Sequence, residues 1–590
     1  MRLEVLNHIP DDLELRRSWN NLALKMPRPE VFYTYEWAIA VQRAYGEQLR
    51  PLIFLGYDEQ NILCGIAALA RKAEDSSVCF LGATTGDYCD FVSAPESASV
   101  FASLVLKELR KRGTRKAVFT NLPADSATAK EMGRLGRDSG FFHFARTAYI
   151  CARVMFNQLE KGKDGAPIAP GLKRIRRFAK AMGSEAPIQF EHLRSWSSVE
   201  GILPEFAKAH VARFLATGRI SNVASGKRRI FLAELAKLLS ETQWLVLSRM
   251  MAGNKPVAWH YGFHYHDAWF WYQPTFESEV EKHWPGFCLL TQVIHEGIQI
   301  PSLKAIDLGL GSEAYKAKFA NASRETIYVA LHTSFLAHAG AMFRDGSGNA
   351  VRKIPQVERF AELARQKLRS FRNRLGNDGA KRMLAWTAKR TLRLLRSKDE
   401  VFFYELTGNA SSADSRNLSL KPIDLNMLAA AAMQYEGDEE TLAYLLRCAK
   451  RLQKKEHPGF VLSDAEDGLV HFLWTGPFAG FRLDELSSTL PDPPADSVLI
   501  FDAWTPPRHR GRGYYASALR LAAGMIRESG KQAWIFSAAE NAKSRSALET
   551  EGFPRRFSVT RHKVLAWQHL SRNEAHNSIA SQPLAALRNS

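Results

Sequence analysis

Cysteine is scarce. The chain has six in 590 residues, Cys64, Cys79, Cys89, Cys151, Cys288 and Cys448, and no two stand in CxxC spacing. That argues against a thiolate zinc site or a dithiol redox motif. The density is also far below that of a disulfide framework, so a reducing compartment is expected. Long apolar runs are missing too. No stretch approaches the ~18 uninterrupted apolar residues of a membrane-spanning helix. The start, MRLEVLNHIPDD, shows no basic segment followed by an apolar one, so no secretory leader is expected. These absences favour a cytoplasmic protein.

Negative charge is short overall, leaving a formal net charge of +19. The excess is uneven: residues 351–400 carry 15 Lys/Arg against 5 Asp/Glu. A local basic element implies a local anionic contact, not a nucleic-acid-binding protein throughout. Within it, Val357, Phe360, Ala364, Leu368, Phe371 and Leu375 recur at spacings of three and four, which predicts an amphipathic helix. Gly376-Asn377-Asp378-Gly379 breaks the pattern, and Leu384, Ala388, Leu392 and Leu395 resume it. Residues 352–398 therefore read as a basic helical hairpin. A solvated linker face, the inner surface of an anionic membrane and nucleic acid remain open as its surroundings. Stacking aromatics are not interleaved with the basic residues and no DNA-reading motif is present, so DNA is not expected as a partner.

At 590 residues the chain exceeds a single core, which stops growing near ~250–300 residues. Strand-like and helix-like stretches alternate, which predicts an α/β (α+β) class of mixed sheets with packed helices. The pattern divides into 1–150, 151–335, a basic linker over 336–400, a further α/β domain over 401–570 and a polar, disordered tail over 571–590.

The most specific local pattern is SVLIFDAWTPPRHRGRGYYASALRLAAGMIRESG. An apolar strand, Val498–Trp504, ends at Pro506-Pro507. Arg508-His509-Arg510-Gly511-Arg512-Gly513 follows, and a helix starts at once, with Tyr515, Leu519, Ala522 and Ile526 on one face. Strand, Gly-rich turn and helix N-terminus together make an anion site. The first-turn N–H groups lack partners, the helix dipole favours negative charge, glycine lets the backbone approach, and arginine adds charge. This R-x-x-G-x-G resembles the coenzyme-binding motif of the GNAT acetyltransferases, and KQAWIFSAAENAKSRSALETEGF is similar to that family's next strand and helix. The likeness extends over 420–568.

The resemblance implies acetyl-CoA, or another acyl-CoA, as co-substrate, with no metal. Arg508, Arg510, Gly511, Arg512, Gly513 and Asn541 would bind it. An amine or hydroxyl then attacks the thioester, and a general base removes its proton; Asp502, Glu485 and His471 are candidates, each with a structural role as the alternative. The family's general acid, a Tyr eight positions into the pattern from Asn541, would fall on Leu548. Here it is absent, which leaves Tyr514 or Ser546 as substitutes, an unassisted thiolate departure, or a domain that binds without turnover.

Residues 1–330 carry a looser likeness. WPGFCLLTQVIHEGIQIPSLKAIDLGLGSEAYKAKFA, with VFYTYEWAIAVQRAYG and FLGATTGDYCDFV upstream, resembles the CelD-like acetyltransferases of bacterial cellulose and exopolysaccharide synthesis. Those are similar to the Fem-type aminoacyl transferases, which carry two GNAT-like folds in tandem. The resemblance implies tandem GNAT-like halves, the first degenerate, ahead of a C-terminal GNAT domain. Asp307, as a catalytic residue, and Tyr315 and Lys316, as substrate-binding residues, are the functional candidates here; a turn cap and a packed ring are the plain alternatives. His260, His264 and His266 share strand parity and suit either a groove wall or zinc. Arg174, Arg176 and Arg177 lie on a short basic helix, solvated or facing an anionic acceptor.

These readings point to an acyl-CoA-dependent N- or O-acyltransferase acting on a glycan or amine acceptor in exopolysaccharide, cellulose or envelope-glycan synthesis, cytoplasmic and peripheral at the inner membrane. A Fem-like aminoacyl-tRNA-dependent transferase and a non-catalytic, coenzyme-sensing membrane-surface scaffold are the alternatives.

Overall fold

The computed structural model describes residues 1–162, 165–183, 187–311, 313–352, 396–407, 417–490, 494–564 and 567–575. The chain is of mixed α/β class, as expected, and divides into two compact units, Met1–Val357 and Glu358–Ser590. Most of the expected basic hairpin, residues 353–395, lies outside the described residues.

One continuous sheet runs through the first unit. Its strands lie in the order Arg2–Leu6, Leu49–Tyr57, Leu63–Lys72, Val78–Phe80, Lys116–Pro123, Ala322–His332, Phe142–Met155, Ala305–Asp307, Ala268–Phe276, Lys255–Tyr265, Leu245–Ala252 and Ile188–Leu193. The position taken for a boundary, 150/151, falls inside Phe142–Met155. Ala322–His332 pairs with that strand from Phe142 to Arg153, and Ala305–Asp307 pairs with its last residues, Arg153 to Met155. Ala322–His332 pairs on its far side with Lys116–Pro123, so the last strand of the unit lies between two strands from its early chain. Two cores nevertheless persist. Phe54, Leu69, Phe101, Leu106 and Phe119 belong to one; Val246, Trp269, Leu289, Val293 and Ile306 belong to the other.

In the second core, Ala268–Phe276 and Ala305–Asp307 are parallel neighbours joined by the helix Pro285–Ile298. Their pairing stops at Phe270 and Asp307, and beyond it the strands separate. A parallel pair needs such a crossover, and its open C-terminal end is where ligands of α/β sheets sit.

The second unit repeats that construction. Its sheet has the order Leu418–Pro422, Gly459–Asp464, Gly468–Pro477, Ser497–Trp504, Gln532–Ala538, Arg396–Glu405, Arg555–Val564, Trp567–Glu574. Ser497–Trp504 and Gln532–Ala538 are parallel, pair only as far as Ile500 and Ile535, and are joined by Tyr514–Glu528. That helix buries Ala518, Leu519, Ala522 and Ile526 and leaves Leu521 and Met525 exposed. Burying a Leu or Ile is worth about 1.5–3 kcal/mol each, which fixes the helix against the sheet and its N-terminus at the strand ends. Arg396–Glu405 begins within the stretch read as linker. Its alternation explains its central place: Val401 and Phe403 enter one core, Phe402 and Tyr404 face the other. Ser571–Glu574, read as tail, continue the final hairpin opposite Phe557–Thr560, where Arg572 lies 4.0 Å over the Phe557 ring.

Candidate functional site

In the second unit the loop after Trp504 turns through a short helical turn, Pro507–His509, and reaches the helix by two glycines in the left-handed region, Gly511 at φ +78° and Gly513 at φ +79°. L-residues resist that conformation by about 1–2 kcal/mol each. No side chain caps Gly513, and a Cβ at Gly511 would meet nothing within 4 Å. The first-turn N–H groups of Tyr514–Glu528 thus sit behind an open cradle, the arrangement an anionic ligand needs.

The arginines of the loop are spread over three sets of partners. Arg508 donates from Nε to His509 Nε2 at 3.0 Å and lies 4.3 Å over the Tyr435 ring. Arg510 donates to the Thr505 carbonyl at 3.0 Å and to Glu440 at 3.2 Å. Arg512 donates to Asp467 at 2.8 Å. A cleft of about 490 Å³ opens between Arg508, His509 and Arg512 on one side and Gln434, Glu466, Asp467 and Gly468 on the other. Burial and the adjacent Arg508 hold the His509 imidazole below its ordinary range, so it contributes an uncharged ring to this wall.

The residues named as acids and bases are placed as follows. Asp502 has φ +48° at a bulge, where the register with Gly468–Pro477 slips by one residue. Its carboxylate accepts from Arg451 at 2.7 Å and its carbonyl from the Tyr444 hydroxyl at 2.9 Å. Glu485 is exposed, between the short strands Arg482–Leu483 and Ser488–Thr489. His471 is fully buried beside Thr505 Oγ1 at 2.7 Å, and burial drives it down to about 3. Tyr514 shares its hydroxyl between Asp467 at 2.7 Å and Asp464 at 3.2 Å. Burial and those carboxylates push it up to about 12, so it clasps the 464–468 turn to the loop. Asn541 caps the helix Ala542–Thr550 by accepting from Ser544 N at 3.2 Å. Leu548 is packed in the core and Ser546 is exposed.

The first unit builds a second cluster where Ala305–Asp307 ends. Asp307 is 2% exposed and is held on three sides. The Tyr88 hydroxyl lies 3.0 and 3.2 Å from its oxygens, Gly309 N donates at 2.9 Å, and Arg153 Nε stands at 3.3 Å. Lys316 is buried and donates to the Leu310 carbonyl at 2.6 Å, with Glu313 at 2.9 Å. Tyr315 is half-buried and packed on the core, and burial raises it to about 12. Asp307 and Lys316 therefore meet at one strand end, with Tyr315 packed alongside. The stretch FLGATTGDYCDFV supplies further members, Asp87 and Tyr88, whose role as Asp307 partners had no local signal in the sequence.

The three histidines take separate partners. His260 is stacked on Trp271 at 4.1 Å with Nε2 at 3.1 Å from the Phe270 carbonyl, His264 meets Arg194 at 3.1 Å, and His266 lies beside Asp267 at 3.2 Å. They form no metal-holding group among the described residues. Arg174 lies over Trp284 and Phe287 at 4.9 and 4.7 Å, while Arg176 and Arg177 are exposed.

Residues 171–317 match the family model described as Acetyltransferase (GNAT) domain. That span contains the parallel pair, its crossover helix, Asp307, Tyr315 and Lys316. No curated protein matches the chain. Among solved structures, FemX is similar at 9% identity and TM-score 0.39, covering 55% of this chain and 96% of its own. The L-PGS of Bacillus licheniformis is similar at 12% identity and TM-score 0.35, covering 54% and 97%. A tandem GNAT protein from the clavulanic acid biosynthesis pathway is similar at 11% identity and TM-score 0.34, covering 56% and 98%. Likeness at this level fixes neither substrate nor reaction.

Proposed function

We propose that the chain is an acyl-CoA-dependent N- or O-acyltransferase, with acetyl-CoA as co-substrate and a glycan amine or hydroxyl as acceptor. One observation carries the reading. Gly511 and Gly513 stand in left-handed conformation between a separating parallel strand pair and the uncapped head of Tyr514–Glu528, in a loop that also carries Arg508, Arg510 and Arg512. This cradle suits a pyrophosphate, and the gap between the strands suits an extended chain ending in a thioester. A main-chain N–H along Phe501–Trp504 would polarise the thioester carbonyl. The GNAT match over residues 171–317 adds a second acyl-transfer module. The likeness of 1–330 to CelD-like enzymes favours an acceptor in exopolysaccharide or cellulose synthesis.

Calorimetry with acetyl-CoA on the full chain tests the cradle. Gly511→Asp with Gly513→Asp places carboxylates where phosphates would lie and forces two strained residues, so the number of binding sites falls by one. An isotherm untouched by both changes refutes the reading.

A peripheral seat on an anionic membrane belongs to the same proposal. The helix Phe335–Arg352 leaves Phe335, Leu336 and Phe343 exposed at 62%, 82% and 80%, just ahead of the segment with 15 Lys/Arg against 5 Asp/Glu. Flotation with phosphatidylglycerol vesicles is the check. Leu336→Glu with Phe343→Glu abolishes co-flotation, and co-flotation that survives the pair refutes this seat.

A further inference from the structure

We propose that Asp87 is the general base for acyl transfer in the half that contains residues 171–317, supplied across the sheet by a loop from the other half. The inference rests on the acyltransferase reading above and deepens it.

The argument begins with the two lips of the strand pair. Past Phe270 one lip continues through Tyr272; past Asp307 the other continues through Leu308, Gly309 and Leu310. The loop that follows the strand Val78–Phe80 crosses both. Tyr272 donates its hydroxyl to the Thr85 carbonyl on one lip, and on the other the Asp87 carboxylate faces the Leu310 N–H. Gly309 has φ +68°, and a Cβ there would lie 2.4 Å from Asp87 Oδ2, so the carboxylate fills the space above that glycine. The loop is pinned from behind by Trp37 Nε1 on Thr85 Oγ1 at 3.0 Å, Asn121 Nδ2 on the Gly86 carbonyl at 2.9 Å and Cys89 N on the Asn121 carbonyl at 2.9 Å. A rigid carboxylate thus stands at the gap where an acyl thioester would lie in a fold of this construction.

Asp87 differs from its neighbour Asp307 in access. Asp307 is buried and enclosed by donors, whereas Asp87, Leu310 and Gly311 are half-buried. The surroundings also tune it. Burial and the facing Asp307 raise Asp87 to about 7, against the opposing pull of Lys316, Arg228 and the Leu310 N–H; Tyr272, Cys89 and Cys151 also feel its charge, and Tyr88 stands next to it on Asp307. A base that ionises near neutrality both holds its charge at working pH and takes a proton readily.

In the proposed step the acceptor N–H or O–H gives its proton to Asp87 while the N or O bonds to the thioester carbon. The C–S bond breaks, and the departing thiolate takes up a proton, leaving an amide or ester and free coenzyme A. Asp87 returns its proton to the thiolate or to solvent.

The test is release of coenzyme A from acetyl-CoA by the full chain carrying Gly511→Asp and Gly513→Asp, with glucosamine as amine probe over a water background. Release persists, and kcat/KM rises with pH through an ionisation near 7. Asp87→Asn lowers kcat by about 10²–10⁴-fold, leaves KM for acetyl-CoA within about two-fold and erases the acidic limb. Formate restores part of the rate to Asp87→Ala. A rate for Asp87→Asn within about three-fold of its parent, with the limb intact, overturns the assignment. So does an Asp87→Ala chain that has lost its rate and that formate does not rescue. If the unmodified chain releases coenzyme A and the loop variant does not, transfer resides in the C-terminal unit and the assignment to Asp87 falls. If neither releases it, the acyltransferase reading itself fails.

Discussion

Replacing Gly309 by Ala separates backbone strain from contact at the Asp87 gap. The residue has φ +68°, so any L side chain costs about 1–2 kcal/mol. The added methyl would also lie 2.4 Å from Asp87 Oδ2, closer than atoms tolerate, and the carboxylate must move off the Leu310 N–H it faces. Drawing a carboxylate away from a facing N–H adds about 1.5–3 kcal/mol. Gly113, in the same unit, is the matched control: φ +74°, with nothing within 4 Å of a Cβ. Gly113→Ala carries the backbone cost alone. The two variants therefore differ by about 1.5–3 kcal/mol. At about 1.3 °C per kcal/mol, the unfolding entropy of a unit this size, they melt about 2–4 °C apart. Differential scanning calorimetry on the full chain, following the transition of Met1–Val357, reads the difference. Variants that melt within about one degree of each other would show that Asp87 does not hold the position above Gly309, and the geometric case for it as a base would go with it.

Other outcomes follow from particular contacts. Asp467→Asn removes the carboxylate that Arg512 bonds from the mouth of the anion cradle, so acetyl-CoA binds several-fold more tightly at low salt; unchanged affinity in calorimetry refutes the competition. His260 is neutral when folded, held down to about 3 by burial, so protonation of the unfolded chain erodes stability as pH falls below ~6.5. His260→Phe keeps a ring against Trp271 and removes that term, so the drop in stability from pH 7 to pH 5 shrinks by about 2 kcal/mol; an unchanged drop in denaturant titrations would count against a buried neutral imidazole. Arg451→Ala removes the ion pair to Asp502 together with stacking 4.6 Å over Trp474 and costs about 1–2 kcal/mol, whereas Asp502→Asn, which keeps the stacking, costs less; equal losses by chemical denaturation would assign the whole effect to the ion pair.

What could be read from sequence was local. A strand that stops at Pro506-Pro507, two glycines and a helix from Tyr514 lie within twenty residues, and each feature has its own residue-level cause. The mixed α/β class followed from alternating periodicities. What escaped reading depends on meetings between distant segments. Tyr88 reaches Asp307 across 219 residues, and nothing near either one signals the other. Tyr514 gave no sign of its partners Asp464 and Asp467, which lie on a hairpin about fifty residues away. Asp502 gave no sign of its bulge, since the extra residue exists only relative to the strand beside it. Arg396–Glu405 hid behind basic neighbours because its alternation makes sense only once both of its faces are covered.

The strand Ala322–His332 has a consequence for how the chain comes into being. Until it emerges from the ribosome, Lys116–Pro123 and Phe142–Met155 have no partner on the sides it will cover, and two open sheet edges wait for it. Each half needs that strand to cover its edge, so shortening the unit before residue 332 yields sticky fragments rather than a smaller folded unit. Synthesis runs from early to late chain, but closure of the sheet runs from late chain back to early. The loop that carries Asp87 is made among the first hundred residues and meets Asp307 only when the unit is almost complete, so assembly of this gap is itself a checkpoint on folding.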